Sequence, residues 1–364
     1  MPLIGIYVKR HLSGGVMIKG QWKSIMTGFN ETCILPTKEW DHNTKINLPK
    51  LHASNSIHRF DGLFLPPKDK AAVIVGASPC LNRDAEKLKE CNDDFSIFCV
   101  NSALKFLIKK NIKPEYVVVL DSDEEDIYKH LDVDSKDLTL IASNIVSPKV
   151  LNNWKGKVWF LPYYGMKKSL HAKVKNRLGK GIPVGGNAFG TAVAMAIQLF
   201  GARIIILVGS ECCYDKLYYP SKDIARENNA KPAEFFITDI NGKERVTTTA
   251  LHTYKLWIER LATEASPYIK IIDTSEGIMG KRDEKSYIYT YELSDIIKRV
   301  KEASNKKREI INANPALFNQ PLYPSKSGRS LSGGSGRVNV RGHVPVCGSG
   351  GAGVSEMRST QDGG

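Results

Sequence analysis

The sequence predicts an α/β protein built on a Rossmann-like, doubly wound and mostly parallel sheet with helices on both faces. Three observations carry that prediction. Short β-branched runs alternate with helical patterns through the middle of the chain. The runs are almost continuously apolar, as strands buried on both faces must be. Several of them end on small, polar or acidic residues, the composition expected where such sheets bind ligands, outside the carboxyl ends of their strands.

Taken in order, the predicted strands are "AAVIVG" (71–76), "FSIFCV" (95–100), "YVVVLD" (116–121), "LTLIAS" (138–143), "KVWFLP" (157–162), "RIIILVG" (203–209) and "YIKIID" (268–273). Between them, "RDAEKLKEC", "NSALKFLIKKN" and "NAFGTAVAMAIQLFG" carry helical spacing, and Gly201 stands where the last of these should stop. Further on, Asn241-Gly242 lies between two extended runs and predicts a two-residue hairpin turn. "TALHTYKLWIERLA" follows as an amphipathic helix, with Leu251, Tyr254, Leu256, Trp257, Ile258 and Leu261 on its apolar face.

The 364 residues, 42% hydrophobic and 25% charged, suffice for a sizeable core. Residues 1–68 show weak periodicity and read as an N-terminal lead-in or subdomain; 69–310 hold the strand and helix alternation. Residues 311–364 form a linker and a Gly/Ser-rich tail expected to be disordered, because it lacks the apolar pattern that could offset ordering entropy. The seven cysteines show no paired metal spacing. With no signal-like leader and no apolar window long enough to span a bilayer, the expectation is a cytoplasmic protein without a membrane span. The net charge of +14 is spread along the chain, with no basic stripe interleaved with aromatics, so nucleic acid is not an expected partner. Its densest cluster, Lys167, Lys168, Lys173, Lys175, Arg177 and Lys180, is either a solvated helix face or a set of phosphate-binding cations.

Each strand end supplies a candidate with a structural alternative. Gly76 and Ser78 form either a backbone approach to phosphate or a plain turn. Asn101 and Ser102 can hydrogen-bond a base or ribose, or cap a helix. Asp121 and Asp123 can direct oxygens at one Mg²⁺, or head a helix whose first turn carries Glu124, Glu125 and Asp126. Gly185 and Gly186 permit close approach before a helix opened by Asn187, whose free N–H groups would form an anion site that also takes in Thr191; close helix packing would favour the same glycines. Glu211 would face that loop across the crevice and bind ribose hydroxyls, a metal or a substrate amine. His252 and Tyr254 near a helix start can assist proton transfer, or serve the core. Glu276 and Gly277 follow the last predicted strand.

These pieces, in the order "VIVGASPCLNRDAEKL", "VNSALKFLIKKNIKPEYVVVLD", "GGNAFGTAVAMAIQLFGARIIILVGSECCY", "DINGKERVTTTALHTYKLWIERLA" and "IIDTSEG", resemble the 6-hydroxymethylpterin diphosphokinase MptE-like family over about residues 55–300. That family shares its domain with flagellar motility accessory factors, and its fold is similar to that of bacterial sialyltransferases. The resemblance implies a nucleotide-dependent transferase that moves diphosphate from ATP, with Mg²⁺, to the hydroxymethyl group of a pterin. The flagellar members imply a second chemistry, transfer of a nonulosonic sugar from a CMP-sugar donor. A non-catalytic nucleotide- or glycan-binding module is the third expectation. The partners would be a nucleotide and a small-molecule acceptor, and the catalytic candidates Asp121, Glu211 and His252. Two motifs depart from the family: Ser78-Pro79-Cys80-Leu81 stands where members read Gly-Pro-Ser-Leu, and Gly209-Ser210-Glu211 where they read Gly-Gln-Asp.

Overall fold

Eight strands, all parallel, form one sheet in the order β10-β9-β6-β1-β2-β3-β4-β5. They are β1 (Ala71–Val75), β2 (Phe95–Val100), β3 (Tyr116–Val119), β4 (Thr139–Ser143), β5 (Lys157–Leu161), β6 (Ile204–Val208), β9 (Lys270–Asp273) and β10 (Ile288–Thr290). The antiparallel pair β7 (Glu234–Thr238) and β8 (Glu244–Thr248) stands apart as a hairpin. The computed structural model describes residues 38–60, 70–123, 129–163, 167–182, 185–215, 217–220, 234–266, 268–280 and 287–313, all within one compact unit that ends at Ala313. The Gly/Ser-rich tail, residues 1–37 of the lead-in, and the acids Glu124, Glu125 and Asp126 lie outside the described residues.

The chain runs outward from β1 through β2, β3, β4 and β5, then returns to lay β6 on the other side of β1, where Val73 faces Ile97 on one flank and Ile206 on the other. The connections therefore change direction between β1 and β6. Such a switch point opens a crevice at the carboxyl edge of the sheet. Every residue of β1 and of β3 is buried, which matches their unbroken apolar runs.

Helices supply the two covering layers. They are α1 (Lys38–Asn47), α2 (Leu81–Asp84), α3 (Asn101–Lys109), α4 (Pro148–Asn153), α5 (Lys168–Leu178), α6 (Ala188–Gln198), α7 (Thr249–Ala265) and α8 (Leu293–Ala313). Helix α6 crosses β1, β2, β3 and β6 and is itself covered by α7. A helix held between two layers has no solvated face, so its "AFGTAVAMAIQ" is apolar all round. Gly201 takes φ +65 just beyond it, the backbone state that glycine ends a helix with. Helix α1 belongs to this architecture: Asn43 donates to the carbonyls of Ser122 and Ile145, and Asn47 to those of Asn144 and Val146.

Three local expectations are corrected. "RDAEKLKEC" is no single helix: α2 is one turn, and Ala85–Glu90 tightens to a 3₁₀ helix, whose three-residue repeat buries Ala85 and Leu88 together. The hairpin loop is longer than the two residues Asn241-Gly242. The Asp239 carboxylate accepts from the N–H groups of Asn241 and Lys243, both at 2.9 Å, and widens the turn, while Gly242 still takes a positive φ of +83. Leu256 is exposed, and α7 buries Trp257, Ile258, Leu261, Ala262 and Ala265 instead. Strand β10 carries no strong pattern, since two of its three residues are exposed. No described helix is long and apolar enough to cross a membrane.

Candidate active site at the switch point

Two glycines close the sheet seam where the crevice begins. The Gly76 N–H donates to Val208 O at 2.8 Å, and the Ser78 N–H to Gly209 O at 3.0 Å. A Cβ on Gly76 would collide with the Gly209 carbonyl, and one on Gly209 would lie 2.7 Å from Gly76 O at φ +64. Neither position tolerates a side chain without separating β1 from β6.

Beyond this seam lies a cavity of about 460 Å³, within the size range of small-molecule sites. Its floor is made by strand ends: Gly76, Ala77 and Ser78 after β1, Asn101 and Ser102 after β2, Asp121 to Asp123 after β3, and Gly209 and Ser210 after β6. Gly186, Asn187, Ala188 and Phe189 close one side. Two helix N-termini, those of α3 and α6, thus open onto one space. At α3 the N-cap is Val100 and no side chain caps the helix, so Asn101 and Ser102 do not serve the capping role their types suggest. At α6 the Asn187 carboxamide is used internally, accepting from Gly190 N–H at 2.7 Å. Uncapped N–H groups at a helix start carry partial positive charge and suit an anion.

The adjacent glycines of the α6 entry differ in purpose. Gly186 takes φ +73 and faces the cavity. Gly185 does not line it; a Cβ there would lie 2.6 Å from Gly190 Cα and 2.9 Å from the Trp257 ring, so this glycine is set by helix packing. Thr191 is likewise outside the lining, fully buried, with its hydroxyl donating to Asn187 O at 2.9 Å.

Asp121 and Asp123 are exposed residues of the cavity wall. No lysine or arginine joins them among the described lining residues, and no cluster of three or more His, Cys, Asp or Glu side chains with metal-site geometry occurs among the described residues. Two carboxylates are the protein share that Mg²⁺ usually takes, the remaining positions going to water and phosphate oxygens, so this pair fits that ion.

Glu211 and His252 lie outside the cavity lining. The Glu211 carboxylate is buried, accepting from the Cys80 N–H at 2.8 Å and from Arg245 of β8 at 2.9 Å. Arg245 also pairs with Asp215 and Asp239, so Glu211 joins the hairpin to the first turn as a strut. His252 packs edge-on against Phe235 with ring centroids 5.6 Å apart, and burial holds its imidazole below the usual value. Glu276, at φ +55, pairs with Arg83, and Gly277 packs on the Glu211 backbone. Of the helix-face cations, Lys167 pairs with Asp41 and Arg177 donates to Leu48 O and Leu51 O; Lys168, Lys173 and Lys175 are exposed. They form a solvated face that ties α5 to its neighbours.

Two features of the cavity are not anticipated by motif. Its far side is aromatic: Trp40 meets Tyr163 at 5.2 Å, Tyr214 and Tyr219 flank Tyr218 at 5.1 and 5.0 Å, and Tyr254 also faces in. The tyrosine-rich "CCYDKLYYP" after β6 is the signal that could have announced it. The second is Ser210, whose hydroxyl lies 2.9 Å from an oxygen of the buried Asp273 at the end of β9.

No curated protein matches the chain. A solved structure similar to it is that of the MAf glycosyltransferase from Magnetospirillum magneticum AMB-1, at 17% identity and a TM-score of 0.49, covering 67% of this chain and 35% of that one. The chain thus spans about a third of that protein's length. The switch-point glycines, the acidic strand end and most of the cavity floor all fall in a segment with an assignable relationship: residues 42–217 match the family described as 6-hydroxymethylpterin diphosphokinase MptE-like.

Proposed function

We propose that the protein is a nucleotide-dependent transferase that moves diphosphate from ATP to the hydroxymethyl group of a pterin, using Mg²⁺. The family match over residues 42–217 supports the reaction class. One observation carries the choice of a metal-bound nucleotide: the N-termini of α3 and α6 open onto a cavity whose wall includes Asp121 and Asp123, a carboxylate pair of the kind Mg²⁺ takes beside phosphate oxygens.

In this reading the phosphates lie against the backbone of Gly186, Asn187 and Ala188 and the first turn of α3. Gly76 and Gly209 let the backbone approach closely, and Asp121 with Asp123 would hold Mg²⁺, which supplies charge neutralisation. The aromatic side offers flat surfaces for the acceptor ring, with Tyr218 and Tyr254 nearest in type to what a heterocycle stacks on. Phosphoryl-type transfer asks a protein mainly for positioning and electrostatics, which these groups would supply. The five described cysteines are free thiols, which suits the reducing cytoplasm.

Isothermal titration of ATP and of CMP, each with and without Mg²⁺, tests the reading. ATP should bind only with Mg²⁺, and Asp121→Asn should remove that dependence together with the binding. Tight CMP binding without metal, unaffected by Asp121→Asn, would refute it in favour of a CMP-sugar donor.

A further inference from the structure

With Glu211 paired to Arg245 and His252 outside the cavity, the acceptor hydroxyl still needs a group to take its proton. We infer that Ser210 and Asp273 form that group, with Ser210 touching the acceptor hydroxyl and Asp273 acting through it. The inference rests on the transferase reading above and names residues that neither the motifs nor the family match assigns.

Ser210 lines the cavity yet is only 4% exposed, so its hydroxyl has a fixed setting. That hydroxyl lies 2.9 Å from Asp273 Oδ1 and 3.3 Å from the Ser275 hydroxyl. Ser275 donates to the same Oδ1, by its hydroxyl at 2.6 Å and its N–H at 3.3 Å. Every described donor therefore converges on one oxygen, and the buried Oδ2 has no hydrogen-bond partner among the described residues. Because Ser210 spends its proton on Asp273, its oxygen can only accept from a ligand in the cavity. A bound O–H is the partner it selects.

The charges around Asp273 do nothing to weaken it as a base. From the loop after β6 it faces Glu211 and the Cys212 thiol, and from the turn after β1 the Cys80 thiol. Arg83 reaches the neighbouring Thr274 carbonyl, but its guanidinium is engaged by Asp84 and Glu276. Burial first, and Glu211 in addition, push the Asp273 carboxyl up to about 6 against the pull of its serine hydrogen bonds. A base is most effective when it titrates near the working pH.

The acceptor oxygen bonds to the β-phosphorus of ATP, the bond between that phosphorus and the α,β-bridging oxygen breaks, and AMP leaves with the electron pair. The acceptor proton passes to Ser210 Oγ as the Ser210 proton passes to Asp273 Oδ1. Asp273 returns the proton to solvent by the same path once the products leave.

The test is AMP release from ATP, Mg²⁺ and 6-hydroxymethyl-dihydropterin by the full chain, from about pH 5 to about pH 8, for the wild type, Ser210→Ala, Ser210→Thr and Asp273→Asn. Calorimetric binding of MgATP, which the relay does not touch, checks that each variant is folded. Ser210→Ala and Asp273→Asn should each lower kcat by about 100-fold, the lower range for a lost general base, with KM for ATP unchanged. Ser210→Thr should retain most activity, and the wild-type fall in kcat below about pH 6 should vanish in Asp273→Asn. Variants that bind MgATP and keep wild-type kcat and pH profile would overturn the relay alone, as would a profile abolished only by His130→Gln on the aromatic side. A wild type that releases no AMP would overturn the transferase reading and the relay with it.

Discussion

Asp273→Asn should change the pH dependence of folding in a calculable way. The carboxyl sits near 6 in the folded chain against an ordinary 3.8, and burial is the main cause. The folded state thus holds this proton more tightly than the unfolded chain does. Below about pH 4 both states are protonated and Asp273 costs nothing; as pH rises the folded state must ionise a buried group, and stability falls until about pH 6 is passed. Roughly two pH units at 1.36 kcal/mol each give a loss of about 3 kcal/mol across that window. Asparagine keeps the oxygen that Ser210 and Ser275 donate to but removes the charge. Its NH₂ group meets the side where Oδ2 lacks a partner among the described residues, which adds a constant penalty of about 1–3 kcal/mol. The prediction therefore concerns the slope. In urea unfolding followed at a series of pH values, the variant should gain about 3 kcal/mol on the wild type between about pH 4 and pH 7. A difference that stays flat across the window would refute the buried-carboxylate argument.

Three further outcomes concern the seam, the strut and the packed entry to α6. Gly209→Ala places a Cβ at φ +64 and 2.7 Å from Gly76 O, so it should destabilise the protein by at least about 2 kcal/mol in the same assay and weaken MgATP binding. Arg245→Ala leaves the buried Glu211 carboxylate with the Cys80 N–H as its remaining described hydrogen-bond partner; a loss of about 3–5 kcal/mol is expected, with part regained on adding Glu211→Gln. A loss near zero would mean that the pair is not a strut. Gly185→Ala should cost stability through its contact with Gly190 and Trp257, so the protein that remains folded at low temperature should still bind MgATP; a selective loss of binding would instead place Gly185 at the phosphates.

The sheet is readable in the sequence because parallel strands buried on both faces are written as unbroken apolar runs, and β2 coincides with "FSIFCV" residue for residue. The cavity floor follows from the same runs, since the rule about carboxyl ends needs only their last residues. What pairs with each polar residue is not readable. Glu211 stands at a strand end like Asp121, but the Arg245 that neutralises it lies 34 residues away on a hairpin. Gly185 and Gly186 are identical letters with different constraints, one steric and one conformational. Asp273 reads as the close of a strand, and only the fold brings it behind Ser210, 63 residues earlier. Trp40 reaches the aromatic side because Asn43 and Asn47 tie α1 to the ends of β3 and β4, a tertiary arrangement with no local pattern.

The central claim is that a metal-bound nucleotide occupies the crevice between β1 and β6. A crystal structure of the full chain with Mg²⁺ and a non-hydrolysable ATP analogue measures it directly. The account predicts phosphates on the Gly186–Ala188 backbone and the start of α3, with the ion at Asp121 and Asp123. A nucleotide bound elsewhere, or phosphates turned away from both helix N-termini, would contradict it.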